Sequence, residues 1–234
     1  MSIYGLIIGI AVVLGIEVIR RKTNLKEIYL LIPLIFALLG ARALYLLHNI
    51  EEILAGQVKI FNVWDGGLAL FGALIGILLG IYIISKLVKQ PFLKLSDKFF
   101  TYIPLIQAFG RIGNYFNKEL YGKPTSLPWA IEIPQENRLQ GYENYTTFHP
   151  TFLYESILNL ILFALLIYLS KKVKADGILL SLYFIGYSLI RLLLNRVRID
   201  GEYLLGIETS DLLSVIFLII GIVLISVKYR RNWF

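Results

Sequence analysis

Apolar and polar positions in this chain are segregated into long blocks rather than alternating at short range. Seven apolar blocks, each of roughly 17–22 residues, lie near 3–19, 27–48, 66–85, 99–116, 152–170, 177–195 and 211–227. That is about the length a helix needs to cross the hydrocarbon core of a bilayer. The pattern predicts an all-α integral membrane protein of seven transmembrane helices, forming one polytopic domain over 1–234. The fourth block is the least continuous, because Pro104, Gly110 and a group of polar residues interrupt it. The first block has its basic residues, Arg20, Arg21 and Lys22, after the apolar run instead of before it, and no small-residue cleavage pattern. It is therefore expected to be a retained span and not a secretory signal.

The connections between blocks orient the chain. Of its 23 Lys and Arg residues, 14 fall after the first, third and fifth spans and in the C-terminal tail, against six in the alternate connections and three inside spans. By the positive-inside rule the first set is cytoplasmic, which puts the N-terminus outside and the C-terminus inside. The longest connection, 117–151, then lies outside between the fourth and fifth spans. It contains Pro124, Pro128, Pro134 and the alternating stretch WAIEI, which predicts a small irregular or β-rich extracytoplasmic cap.

Composition narrows the class further. Hydrophobic residues make up 57% of the chain, against about 45–50% in soluble domains. There is no cysteine, so a disulfide framework, a thiolate nucleophile and a Cys-based metal site are all excluded. The two histidines, His48 and His149, are too few for a His-rich metal site, and no cofactor is expected. The net charge of +7 is dispersed in short clusters between apolar blocks, which suits membrane topology better than a nucleic-acid-binding face.

Three arginines at membrane depth are the main chemical signal: Arg42 in LLGARALYLL, Arg111 in AFGRIGN and Arg191 in YSLIRLLLNRVR. An ionised group costs several kcal/mol there unless it is paired or marks a site. Snorkelling, or pairing with Glu17, Glu155 or Glu119, is the structural alternative. A lipid phosphate at the outer leaflet accounts better for three such cations, because the guanidinium fork matches phosphate oxygens. Gly110 and Gly113 bracket Arg111 and allow close approach, either of a neighbouring helix or of a ligand. Asn114 and Asn117 are suited to hydrogen bonds with phosphate or glycerol hydroxyls. Glu119 can accept from those hydroxyls or pair with an arginine.

A second constellation is HPTFLYES at 149–156. Pro150 suits the first turn of the helix that follows, Thr151 is a possible cap, and Tyr154 and Glu155 are expected to point inward near the interface. The same segment reads equally as an ordinary helix start with an aromatic belt residue. WDGG at 64–67 reads as an interfacial Trp and a turn entering the third span, with Asp65 a helix-cap candidate.

These residues carry a resemblance. GRIGNYFNKELYG at 110–122 is similar to the signature of the prolipoprotein diacylglyceryl transferase family, roughly G-R-x-G-N-[FY]-x-N-x-E-x-x-G, and HPTFLYES resembles that family's H-P-[ST]-x-L-Y-E segment. Further matches follow in order: YG at 4–5, GARALY at 40–45, WDGGLALFGALIG at 64–76, GYSLIRLL at 186–193 and VRIDGEYL at 197–204. The resemblance implies transfer of the diacylglyceryl group of phosphatidylglycerol to the lipobox cysteine thiol of a preprolipoprotein, in a bacterial cytoplasmic membrane. It implies headgroup and phosphate contacts from Arg111 and Arg191, with supporting or catalytic roles for Tyr4, Asn114 and Glu119. Asn117, Gly113, His149, Tyr154, Glu155, Arg198 and Asp65 are the substrate-binding candidates.

Two departures from the family pattern stand out. Phe71 occupies a third-span position that is histidine in many members and tyrosine in some, and phenylalanine cannot take a proton. Asn195 replaces the glutamate usually found four residues after the sixth-span arginine, removing a carboxylate one turn from Arg191. A base for the thiol is then left to Glu119, to His149, or to phosphate and water. The departures also allow a relative that binds anionic phospholipid without chemistry. A small transporter is disfavoured, since the polar groups lie towards the outer side and no internal repeat is evident.

Overall fold

A computed structural model describes residues 3–56, 60–61, 67–201, 203–204 and 206–231. Among them are seven helices of 15 residues or more: α1 (Ile3–Thr23), α2 (Glu27–His48), α4 (Leu70–Leu87), α6 (Ile103–Asn117), α7 (Thr151–Ser170), α8 (Ile178–Asn195) and α9 (Thr209–Arg231). Two shorter helices, α3 (Ile50–Leu54) and α5 (Phe92–Phe100), lie between them. Four helical segments are long and apolar enough to cross a membrane: Glu27–His48, Leu70–Leu87, Thr151–Ser170 and Thr209–Val227. Only 17% of the last window and 22% of the first are buried, and Leu38, Leu39, Ile219 and Val223 all face outward. An apolar exterior of this kind is matched to lipid and not to water.

The fourth apolar block differs from expectation. Instead of one helix over 99–116, α5 ends at Phe100 and α6 begins at Ile103. Pro104 sits in the first turn of α6, where its missing N–H costs no helical bond, and Tyr102 provides the N-cap. Asp97 fixes the other side of this break. Its carboxylate accepts from the backbone N–H groups of Gly177 (2.7 Å) and Leu180 (2.8 Å), at the N-terminus of α8.

Glycine sets the closest helix pair. A Cβ on Gly76 of α4 would lie 1.9 Å from the Phe36 carbonyl oxygen of α2, and one on Gly72 would lie 2.2 Å from the Gly40 oxygen. Helix backbones can approach this closely only where both faces lack side chains. The tight α2–α4 pair carries Phe71 inward, where its ring lies 6.0 Å from Tyr187 of α8 and 5.4 Å from Phe217 of α9. The N-cap of α4 is Ala69, and Asp65 lies outside the described residues.

The 117–151 connection folds as a small cap with its own core of Tyr121, Ile133 and Phe148. Two short antiparallel strands, β1 (Ile131–Glu132) and β2 (Thr147–Phe148), pair Ile131 with Phe148. The alternation in WAIEI thus puts Ile133 inside, as a half-buried strand requires. The cap is stitched to the segment after α8 by the Lys123 N–H, which donates to the Val197 carbonyl at 2.8 Å. A second antiparallel pair, β3 (Tyr203–Leu204) with β4 (Ile207–Glu208), leads into α9.

Candidate functional site

Glu155, in the second turn of α7 and 1% exposed, is the hub of a buried cluster. Its Oε1 accepts from Arg111 Nη2 at 2.9 Å and from the Tyr187 hydroxyl at 3.2 Å. Its Oε2 accepts from Arg191 Nη1 at 3.3 Å and lies 3.6 Å from Arg198 Nη1. Four separated stretches of chain therefore meet at one carboxylate. The α7 start is held against the α6 exit by the Thr151 hydroxyl, which donates to the Leu120 carbonyl at 2.6 Å. Thr151 is thus a tie between segments; the N-cap of α7 is Pro150.

The guanidiniums outnumber the carboxylates they touch. Arg198 also makes a two-pronged pair with Asp200, at 2.9 and 2.6 Å, while Arg191 spends Nε and Nη2 on the Ser210 hydroxyl at 3.1 and 2.7 Å. Three guanidiniums, which stay charged at any accessible pH, thus contact two carboxylates. They line a cavity of about 170 Å³ together with Tyr187, Glu208, His48 and Phe71. Burial pushes the Glu208 carboxyl above its usual range and Asp211 adds to this, against the opposing pull of Arg191 and Arg198. A concave, partly desolvated site on which three guanidiniums converge is suited to an anion, above all a phosphate that accepts several N–H bonds at once.

The other predicted residues fall into separate groups. Asn114, 3% exposed, donates to Glu119 at 2.7 Å, and Asn117 donates to the same oxygen at 3.3 Å. Lys118 and Leu120 take left-handed φ values of 53° and 54°, a conformation uncommon outside glycine, and this turn folds Glu119 back onto α6. No ion pair to Glu119 occurs among the described residues, so the arginine partner open to it goes unused. Gly113 is buried on α6, whereas a Cβ on Gly110 would meet nothing. His149 Nδ1 lies 3.2 Å from the Tyr154 hydroxyl, which also accepts from Trp129 Nε1 at 2.7 Å. Tyr154 therefore faces the cap and not the cavity, because its hydroxyl finds partners there. The side chain of Tyr4, on α1, and all of Asp65 lie outside the described residues.

Arg42 corrects the reading of three equivalent cations. Its Nε and Nη1 donate to the carbonyls of Ile60 and Gly67, each at 3.0 Å, and its guanidinium lies 4.9 Å from the Tyr45 ring centre. It ties down the connection between α3 and α4, whereas Arg198, one of the substrate-binding candidates, joins Arg111 and Arg191 at Glu155. Glu155, expected to point inward and one of the possible arginine partners, is the counter-ion these arginines share. A carboxylate at the start of an apolar span, with no basic residue within one turn, was the signal available.

Fold and cavity together define a mostly helical membrane protein with a buried, cation-rich site. The family model for prolipoprotein diacylglyceryl transferase matches residues 1–227, and the chain belongs to that family. It is 40% identical over 203 residues to the phosphatidylglycerol–prolipoprotein diacylglyceryl transferase of Thermotoga maritima, covering 85% of this chain and 69% of the relative. It is 36% identical over 237 residues to the protein of the same name from Finegoldia magna, covering 98% and 91%. The like-named protein of Trichormus variabilis is 36% identical over 243 residues, covering 98% and 86%.

Proposed function

We propose that the chain transfers the diacylglyceryl group of phosphatidylglycerol to the lipobox cysteine thiol of a preprolipoprotein, forming a thioether and releasing glycerol phosphate. One observation carries this reading: Arg111, Arg191 and Arg198 converge on the shared carboxylate of Glu155 at the wall of one cavity. Attack by sulfur at the glycerol carbon transfers charge onto the departing phosphate. Preorganised guanidiniums stabilise that charge as it develops, without having to reorganise. Glu155 holds the forks in place at the cavity wall. The nucleophile belongs to the substrate, so a chain without cysteine suffices.

The seven longer helices fit a seven-span domain with the N-terminus outside, the C-terminus cytoplasmic, and residues 117–151 as an external cap over the cavity. A bacterial cytoplasmic membrane is the matching location, with phosphatidylglycerol drawn from the surrounding lipid and the lipobox peptide as second substrate. Asn114, Asn117 and Glu119 form a polar patch on the outer end of α6, suited to glycerol hydroxyls. Gly113, Tyr4 and Asp65 enter the site by resemblance, as do His149 and Tyr154 on the cap side. A lipid-binding relative without chemistry is the competing reading, motivated by Phe71 and Asn195. Purified protein given phosphatidylglycerol and a lipobox peptide should release glycerol phosphate, and Arg111→Ala should lower the rate by about 10²- to 10³-fold, the scale of losing a transition-state donor. Lipid binding with no thioether product would favour the competing reading. An undiminished rate in Arg111→Ala would remove Arg111 from the proposed centre.

A further inference from the structure

We infer that Glu208 accepts a hydrogen bond from the headgroup glycerol of phosphatidylglycerol and so selects for a hydroxylated headgroup; the inference rests on the transferase reading above. The arginines supply only part of what this lipid needs. A guanidinium donates hydrogen bonds and cannot accept them. Arg111, Arg191 and Arg198 can therefore hold phosphate oxygens, but they leave the headgroup hydroxyls without a partner for their protons. An acceptor has to stand beside the arginines, within the reach of a glycerol from the phosphate.

Two carboxylates line the cavity among the described residues, Asp200 and Glu208. Both oxygens of Asp200 are taken by Arg198, at 2.9 and 2.6 Å. Glu208 is half-buried on the cavity wall, and its carboxyl makes no hydrogen bond or ion pair among the described residues. The backbone delivers it there, because β3 and β4 pair Tyr203 with Glu208 just before α9. Gly201 lies on the same wall and leaves the carboxyl room, since a Cβ on Gly201 would come within 3.4 Å of Glu208 Oε1. Arg191 and Arg198 favour the ionised form of Glu208, while Asp211 and Asp200 oppose it. The carboxyl thus belongs to the same electrostatic cluster as the phosphate wall. A bare carboxylate and a phosphate repel each other. A glycerol hydroxyl between them donates to the carboxylate while the arginines neutralise the phosphate, so the headgroup joins two anions that would otherwise stand apart. The patch of Asn114, Asn117 and Glu119 is not on this cavity's wall, and both amides already hold Glu119.

The test compares phosphatidylglycerol with phosphatidylpropanol, an anionic lipid whose headgroup matches in length but has no hydroxyl. An ammonium headgroup would serve the carboxylate as well as a hydroxyl, so the comparison is hydroxyl against none. Diacylglyceryl peptide is measured from each lipid on one preparation of protein, so any loss of folded protein scales both rates and cancels in their ratio. Wild type should prefer phosphatidylglycerol by about tenfold to a hundredfold, the range of one hydrogen bond to a charged group. In Glu208→Ala the two rates should converge. Glu208→Gln keeps the shape and an acceptor oxygen but not the charge, and should show a smaller preference than wild type. A full preference in Glu208→Ala would place the hydroxyl contact elsewhere, and a wild type indifferent to the hydroxyls would mean that they are not read; either result overturns the inference. If Glu208→Ala does not fold, Glu208→Gln decides alone, and an undiminished preference there overturns it too. Should neither variant fold, Glu208 is a structural residue and the proposal is lost. Wild-type protein that forms product from neither lipid would overturn the transferase reading itself, a separate outcome.

Discussion

Asp97 and Glu155 are both buried carboxylates held against α8, near its opposite ends, yet they do different things. Asp97 accepts two backbone N–H groups from the first turn of α8, so its partners are fixed dipoles and the helix N-terminus is completed. Glu155 sits roughly 16 Å further along, by the rise of a helix between Leu180 and Arg191. Its partners are three guanidiniums whose summed charge exceeds its own. A carboxylate matched by backbone donors locks a joint. A carboxylate outnumbered by guanidiniums leaves a site that can take another anion.

Removing each carboxylate should expose that difference. Glu155→Gln takes away the counter-ion of the buried cluster, and a broken buried pair costs about 3–5 kcal/mol. A large fall in melting temperature in detergent, with loss of glycerol phosphate release, is the expected outcome. Unchanged melting would mean that the arginines are already satisfied elsewhere.

Asp97→Asn should act on pH dependence instead. Burial raises the Asp97 carboxyl from 3.8 to about 6, against the opposing hydrogen bonds from Leu180 and Gly177. Because the folded-state value is the higher one, its contribution to stability is fully present below about pH 4 and is lost as pH rises through 6. The size is on the order of 2–3 kcal/mol. Melting curves between pH 4 and 7 should show this decline in wild type and a flatter profile in Asp97→Asn, with transferase activity retained. Parallel profiles would reject the assignment.

The smallest effect expected is at Ser210, which accepts two hydrogen bonds from Arg191. Ser210→Ala should lower kcat/KM by roughly fivefold to thirtyfold, a loss of about 1–2 kcal/mol of charged hydrogen bonding, and Ser210→Thr should restore most of it. A silent Ser210→Ala would show that Glu155 alone positions Arg191.

Much of the fold was legible because burial in lipid leaves a long, simple signal. The second block coincides with α2, and the sixth differs from α8 by one residue at its start. The break at Thr101 and Tyr102 was not legible, since Pro104 in the middle of an apolar run reads as an interruption whether it kinks a helix or opens one. At the site, the arginines announce themselves by depth, and the family signature picks out Arg111 and Arg191. Their meeting at Glu155 spans sequence separations of 44 and 36 residues, which no local pattern encodes. Arg42 looked equivalent to Arg111 in sequence, and only the carbonyls of Ile60 and Gly67 distinguish its task.

The central claim is that Arg111 and Arg191 hold one phosphate between them. A double-mutant cycle on phosphatidylglycerol affinity, measured in nanodiscs with Arg111→Ala, Arg191→Ala and the pair, tests it most directly. Groups that share one ligand oxygen set should couple, with an interaction energy above about 1 kcal/mol. Effects that add to within about 0.3–0.5 kcal/mol would mean two independent cations, and the shared phosphate site would be wrong.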